Sequence, residues 1–270
     1  MPLGTNPALV DGPPRLPLPF GLFSAFTPRE DAVDRWRMSV QWEPLTCAPA
    51  GLIADAMCTP DDGEGIEGLP KGFDRDEGDL GGAVPFTVYG WHVCSPIGSS
   101  AERAQELADE HLINREEHAA ERALWNGLVG VLPNFTEDAD DIGEMPGDTR
   151  ADIEQAVAEA EQWMGDTYGS LGVLHMSRRH ASLLKPDVRG GRMFTRLGTP
   201  IVAGSGYGED AIIVTSPLIG YRGSIETSSA TPYDLLDRAQ NDLYAVAERQ
   251  YLIAFDTCGF GRVSLTRQEA

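Results

Sequence analysis

The sequence predicts an α+β fold, two long helices among antiparallel strand signals, and three observations predict it. One stretch opening at Ser99 and another opening at Thr149 or Asp152 repeat apolar residues every three to four positions over several turns. Short apolar runs, GVLHM at 172–176, TPIVAG at 199–204 and AIIVTS at 211–216, read as buried strands. After Gly169 the chain changes character, from helix to short strands and turns, so the two kinds of element are segregated. A chain of 270 residues that is 41% apolar has enough material for a packed core, in one large domain or two small ones.

Residues 1–30 are proline-rich and aperiodic, which suits an extended arm lying on another surface better than part of a core. Between Trp36 and Cys58 the chain reads as short extended segments, with Met38, Val40 and Trp42 alternating with polar neighbours. Residues 59–80 are glycine-rich and hold eight acids against only Lys71 and Arg75, the composition of a solvated loop. The strand that begins at Phe86 is largely apolar on both faces, as expected of a strand covered on two sides.

Ser99 and Glu102 have capping-box spacing, and an alanine-rich stripe runs from Ala101 through Ala108 and Leu112 to Ala123, with a stop at Asn126-Gly127. Some 25 residues of helix span about 38 Å, and an alanine stripe calls for a closely packed neighbour. The second helix uses Ile153, Ala156, Val157, Ala160, Trp163 and Met164 and stops at Gly169. Between the helices, residues 137–148 carry six acids and no base and read as a loop. SRRHASLLKPD reads as a short helix ended by Pro186. The tail supports two readings: 235–251 fits a helix, yet Ala245, Ala247, Arg249, Tyr251, Ile253 and Phe255 alternate as in a strand.

The charge excludes whole classes of function. With 42 acidic against 21 basic side chains, the net charge is −21 and the pI near 4.5. Such a surface repels DNA, RNA and anionic lipid, so neither sequence-specific nucleic-acid binding nor membrane binding is expected. No run approaches the roughly 18 apolar residues of a membrane span, and the first 20 residues lack the basic leader of a secretory signal. Cys47, Cys58, Cys94 and Cys258 form no CxxC pair and read as reduced thiols.

No catalytic signature survives inspection, and no cofactor or metal is expected. GSGYG at 204–208 runs into a strand, whereas phosphate cradling needs a helix start. His111 and His118 share a helix face without the spacing of a metal site. Asp138-x-Asp140 opens like a calcium loop, but Ile142 takes the next ligand position. His175 and His180, with nearby acids, are the only site an acidic soluble enzyme could use, and they flank Arg178-Arg179.

A charge contrast is more informative. Residues 178–196 hold six bases, Arg178, Arg179, Lys185, Arg189, Arg192 and Arg196, against the single acid Asp187. They either balance acids of their own subunit or meet the acidic segments 59–80 or 137–148 of a neighbouring copy.

The order of parts, with TRLGTPIVAGSGY, IIVTSPLIGYRGSIET and DLLDRAQNDLYAVAERQYLIAFDTCGFGRVSL closing the chain, resembles the major capsid proteins of tailed bacteriophages, the HK-ninety-seven-type shell fold shared with encapsulins. The resemblance covers roughly 85–265 and is one of layout. It implies an N-terminal arm (1–42), an extended loop overlapping a neighbour (43–88), a spine helix with the first part of a peripheral lobe (89–130), an axial lobe (131–220) and the rest of the peripheral lobe (221–270). It also settles 245–255 as strand. The function implied is self-assembly into the hexamers and pentamers of an icosahedral head around double-stranded DNA, in virions assembled in the host cytoplasm. An encapsulin-like compartment is the alternative. The short segment before the first strand implies a separate scaffolding protein and little processing; a portal is implied too, and a decoration protein is compatible. Some family members weld their shells by an isopeptide bond from a loop lysine to an asparagine, with a glutamate as base. The matching residues here are Lys71, Asn241 and Glu248.

Overall fold

The computed structural model describes residues 16–29, 35–43, 81–95, 100–128, 130–227, 236–237, 239–256 and 259–266. Ser99, Lys71, Cys47, Cys58 and Cys258 lie outside them, as does the acidic stretch 59–80. The first strands are β1 (Val40–Trp42), β2 (Gly81–Ala83) and β3 (Phe86–Cys94), followed by helix α1 (Ala101–Asn126). Next come β4 (Asp140–Pro146), α2 (Arg150–Tyr168), β5 (Val173–Ser177) and α3 (Arg178–Leu183). Then follow β6 (Asp187–Arg189), β7 (Arg192–Phe194), β8 (Pro200–Gly204), β9 (Ala211–Thr215) and β10 (Ile219–Arg222). The chain closes with β11 (Glu226–Thr227), β12 (Leu236–Asp237), β13 (Asp242–Ala254) and β14 (Gly261–Thr266).

Five strands form a sheet around β13, which pairs with β3 along one edge and with β10, β11 and β12 along the other. The tail is therefore strand, against its helix propensity. Nine consecutive pairs, from Leu243 opposite Cys94 to Tyr251 opposite Phe86, fix it there. Helix α1 lies across this sheet. Its buried residues Ala104, Ala108, Leu112, Glu116 and Ala120 recur every fourth position, and β3 supplies the close neighbour that an alanine stripe needs. The closest approach is at Gly90, where a Cβ would stand 2.5 Å from the Leu112 nitrogen and 2.9 Å from the Ala108 oxygen. Both are backbone atoms and cannot rotate away. Gly90→Ala is thus expected to cost about 1–3 kcal/mol by forcing helix and strand apart, read as an earlier midpoint in urea unfolding.

Strands β1 and β2 pair separately as a two-stranded sheet, and a larger sheet has seven strands in the order β4-β14-β9-β5-β8-β7-β6. It is mixed rather than antiparallel: β4 runs parallel to β14 and β5 parallel to β8. Helix α2 covers one face, with Ile153, Ala156, Ala160 and Met164 packed among Leu174, Met176, Ile212 and Val214. Thr149, one of the two expected starts, forms a capping box with Asp152, and Gly169 ends the helix in the left-handed conformation. The opposite face, with Val173, Val202 and Ile213, packs with Phe135 and the end of α1 into a core shared with the five-stranded sheet.

Five expectations are corrected. The cap of α1 is Ser100, whose hydroxyl accepts from the Arg103 nitrogen at 3.1 Å, one residue beyond Ser99. Part of the acidic segment 137–148 is strand β4, held by parallel pairing with β14 despite its charge. The last strand, β14, belongs to the seven-stranded sheet and not with the rest of 221–265, because it inserts between β4 and β9. Strand β3 is covered on one side only: Tyr89, Trp91 and Val93 are 61%, 58% and 40% exposed. Finally, the arm is partly core. Leu22 and Phe26 are buried in a turn docked on this chain's own α1.

Candidate assembly surfaces and the joint behind them

Helix α1 is joined to the sheet at Glu116, the one charged residue in the fourfold-spaced stripe of α1 that faces the sheet. Its carboxylate is 4% exposed and accepts from Arg249 and the Tyr251 hydroxyl, each at 2.6 Å, and from Arg222. Burial, then the bond to Glu116, pushes the Tyr251 hydroxyl above its ordinary range. The Arg222 guanidinium also lies 5.7 Å over the Phe23 ring, so one carboxylate ties helix, sheet and arm together. Sequence reading missed this residue. The signal was present: an acid at the fourth-residue step of an otherwise apolar stripe.

Beside Glu116 and just over one turn further along, Glu117 and Glu121 grip the arm by its backbone. Glu117 accepts from the Phe23 nitrogen at 2.8 Å, and Glu121 from the Leu22 nitrogen at 3.1 Å. The other oxygen of Glu121 takes the Gly206 nitrogen at 2.8 Å and the Ser205 hydroxyl, so GSGYG is a turn anchored on α1. Burial raises the pKa of both carboxyls, although these donated N–H bonds pull the other way. Arg178 completes the clasp by donating to the Pro19 carbonyl at 2.8 Å.

The six bases of 178–196 divide. Arg178 holds the arm, and Arg179 lies 3.8 Å from Asp148 and 3.7 Å from Glu209 of the same chain. Lys185, Arg189, Arg192 and Arg196 are exposed; Arg189 pairs with Asp187 on its own strand. Lys185 and Arg196 lower the pKa of Glu154 from a distance, behind the larger effect of its hydrogen bond from Arg150. A cleft of about 410 Å³ opens beside this end of the sheet, between α2 and the β7–β8 turn, with Val157, Leu184 and Leu197 among its lining.

The other candidate residues do not converge. His175 is fully buried and bonded on both ring nitrogens, to the Tyr207 hydroxyl at 2.9 Å and to Thr215 at 3.0 Å. His180 is also fully buried, so neither imidazole offers a substrate a surface. His111 and His118 bond the Trp91 carbonyl and Ser205, tying α1 to its surroundings. Among the described residues, no group of three or more His, Cys, Asp or Glu is placed to hold a metal ion, and no helix is long and apolar enough to cross a membrane. Asn241 takes a left-handed turn conformation, φ 57°, at the β12–β13 hairpin. Glu248 lies six strand steps beyond Asp242, about 20 Å along β13, and so is not beside the Asn241 of its own chain.

No protein-family model matches the sequence, and no curated protein matches it. Solved structures do. The chain is similar to one of Mycobacterium phage Ogopogo, with a TM-score of 0.58 at 14% identity over 97% of each chain. It is similar to a chain from the capsid of the empty GTA particle computed with C5 symmetry, with a TM-score of 0.57 at 10% identity over 97% of this chain and 95% of that one. A chain of Microbacterium phage Oxtober96 gives 0.55 at 13% identity over 98% and 96%. Coverage is nearly complete in both directions, so the likeness is to the whole chain and not to one part of it. The architecture is the phage-capsid shell fold that the order of parts in the sequence resembles.

Proposed function

We propose that this chain is a major capsid protein that self-assembles into the hexamers and pentamers of an icosahedral phage head enclosing double-stranded DNA. The observation that carries this reading is the fold likeness to a GTA capsid chain and to phage chains over nearly the whole length. Two features of the molecule support it. The exposed aromatic face of β3 is more than a monomer needs to show water, and it is where a second copy would complete the two-sided burial its sequence calls for. The charge of −21 suits a container that confines a polyanion without gripping it. A virion location, host cytoplasmic assembly, a separate scaffolding protein, a portal and a compatible decoration protein belong to the same proposal. So does the assignment of the seven-stranded sheet to the axial lobe and the five-stranded sheet to the peripheral lobe. A weld from Lys71 to Asn241 would need a base other than the Glu248 of the same chain, and this reading includes no such step.

Electron microscopy and native mass spectrometry of the purified protein, alone and co-expressed with its neighbouring genes, test the reading. Capsomers and closed particles are expected. A stable monomer or dimer under every condition overturns it, and protein rather than nucleic acid inside native particles would turn it towards an encapsulin-like shell.

A further inference from the structure

We infer that copies join head to tail through the two ends of the seven-stranded sheet, the acidic β4 edge of one copy seating against the basic β6–β7 hairpin of the next. The inference rests on the capsid reading and names the surfaces by which it would work. Strand β4 pairs only with β14, and β6 only with β7, among the described residues, so each end of the sheet is an open edge. Beside the first edge stand Glu137, Asp140, Asp141 and Glu144, all exposed, and no described base pairs with them. The base nearest in register, Arg262 opposite Asp141, is turned to the Thr136 carbonyl and to Asp210. Beside the second edge stand Lys185, Arg189, Arg192 and Arg196 against the single acid Asp187, and among the described residues only Arg189 of the four makes an ion pair, with Asp187.

Charge on an edge strand is ordinarily protective, since it keeps open edges from pairing with one another. Protection needs charge of either sign. Here the two ends are sorted by sign, which leaves each edge repelling its own kind and attracting the other. Each end also carries apolar surface inside its charges. Val188 and Leu197 are 56% and 75% exposed at the basic end, and Ile142 and Met145 are half-buried at the acidic end. An apolar centre with a charged rim is the anatomy of a protein–protein interface. Because the two surfaces differ, the contact is heterologous, and repeating it builds a ring rather than a two-fold dimer. The occupant of each edge is thus a second copy of this chain.

Charge reversal tests this in the full chain. Arg189→Glu with Arg192→Glu leaves the β6–β7 hairpin with three acids and no base, like β4; Asp141→Lys with Glu144→Lys leaves β4 with two bases against Asp140, like the hairpin. All four side chains are exposed, so both variants are expected to keep the unfolding profile of the wild type. Each alone should need at least about a hundredfold more protein to form rings, because like charges face each other. A one-to-one mixture should form rings again by alternation. An alternating ring closes only on an even number, so native mass spectrometry should find hexamers and no pentamers in the mixture. A chain carrying all four reversals should recover both. If the wild type assembles and the single-edge variants assemble equally well, this interface is wrong and the capsid reading stands. If they fail but neither the mixture nor the fourfold variant recovers, the pairing of these two edges is wrong. If the wild type forms no oligomer at all, the capsid reading fails and this proposal with it.

Discussion

Replacing Glu116 with alanine is expected to remove about 3–5 kcal/mol of unfolding free energy, the range for breaking one side of a buried ion pair. The loss falls unequally on the partners. Arg222 has a side chain 36% exposed and turns to water at little cost, whereas Arg249, at 11%, and the Tyr251 hydroxyl stay buried without their acceptor. The damage is therefore the stranded Arg249 charge more than the absent attraction. That distinction gives a second arm to the experiment. Glu116→Leu combined with Arg249→Met and Tyr251→Phe should recover most of the loss, because buried polar groups replaced together by well-packed apolar residues often leave no net cost. Urea unfolding of the unassembled chain at neutral pH reads both variants. A loss of about 1 kcal/mol or less for Glu116→Ala, the worth of an exposed pair, would mean that the helix and the sheet are held by apolar packing alone.

What the sequence made legible was what local chemistry decides. The alanine stripe of α1, the stop of α2 at Gly169 and the strands 173–177, 200–204 and 211–215 all follow from spacing and propensity within one segment. What stayed hidden was decided across the chain. The pattern of 235–251 allowed a helix, and strand won only because β3, some 150 residues earlier in the chain, supplies nine partners. Strand β4 shows only Ile142 and Met145 as apolar residues, and its partner β14 lies about 120 residues later in the chain. The docked arm was hidden for a different reason. Glu117 and Glu121 look like part of a solvated helix face, and nothing local shows that they receive the backbone of Phe23 and Leu22. The candidate assembly surface was half legible. The basic stretch stood out by composition, yet only the strand order places four of its bases at the sheet end opposite the acids of β4.

Acid is expected to loosen the fold through His175. Burial pushes its pKa down to about 3 from an ordinary 6.5, and the hydrogen bonds show why a proton is refused. The Thr215 hydroxyl donates to the Ser216 carbonyl at 2.9 Å, so it can only accept from Nε2 of the ring. Nδ1 is then left to accept from Tyr207, and a charged ring would turn a donor on the Tyr207 hydroxyl. A histidine whose folded pKa is depressed contributes stability that is present above 6.5 and lost as pH falls towards its folded value, because the unfolded chain takes the proton first. The slope is about 1.4 kcal/mol per pH unit. Glu117 and Glu121 act oppositely, since burial raises them: their contribution is greatest in acid and is lost as pH rises through their folded values. A single pH curve mixes the two effects, whereas the difference between wild type and His175→Leu isolates one. Near neutrality the variant should be weaker by about 1–3 kcal/mol for the stranded Tyr207 hydroxyl. From about pH 6.5 downward the gap should shrink by about 1.4 kcal/mol per unit and reverse near pH 5. Parallel curves would mean that the folded protein protonates His175 as readily as the unfolded one, and that Tyr207 turns its hydroxyl to receive the proton.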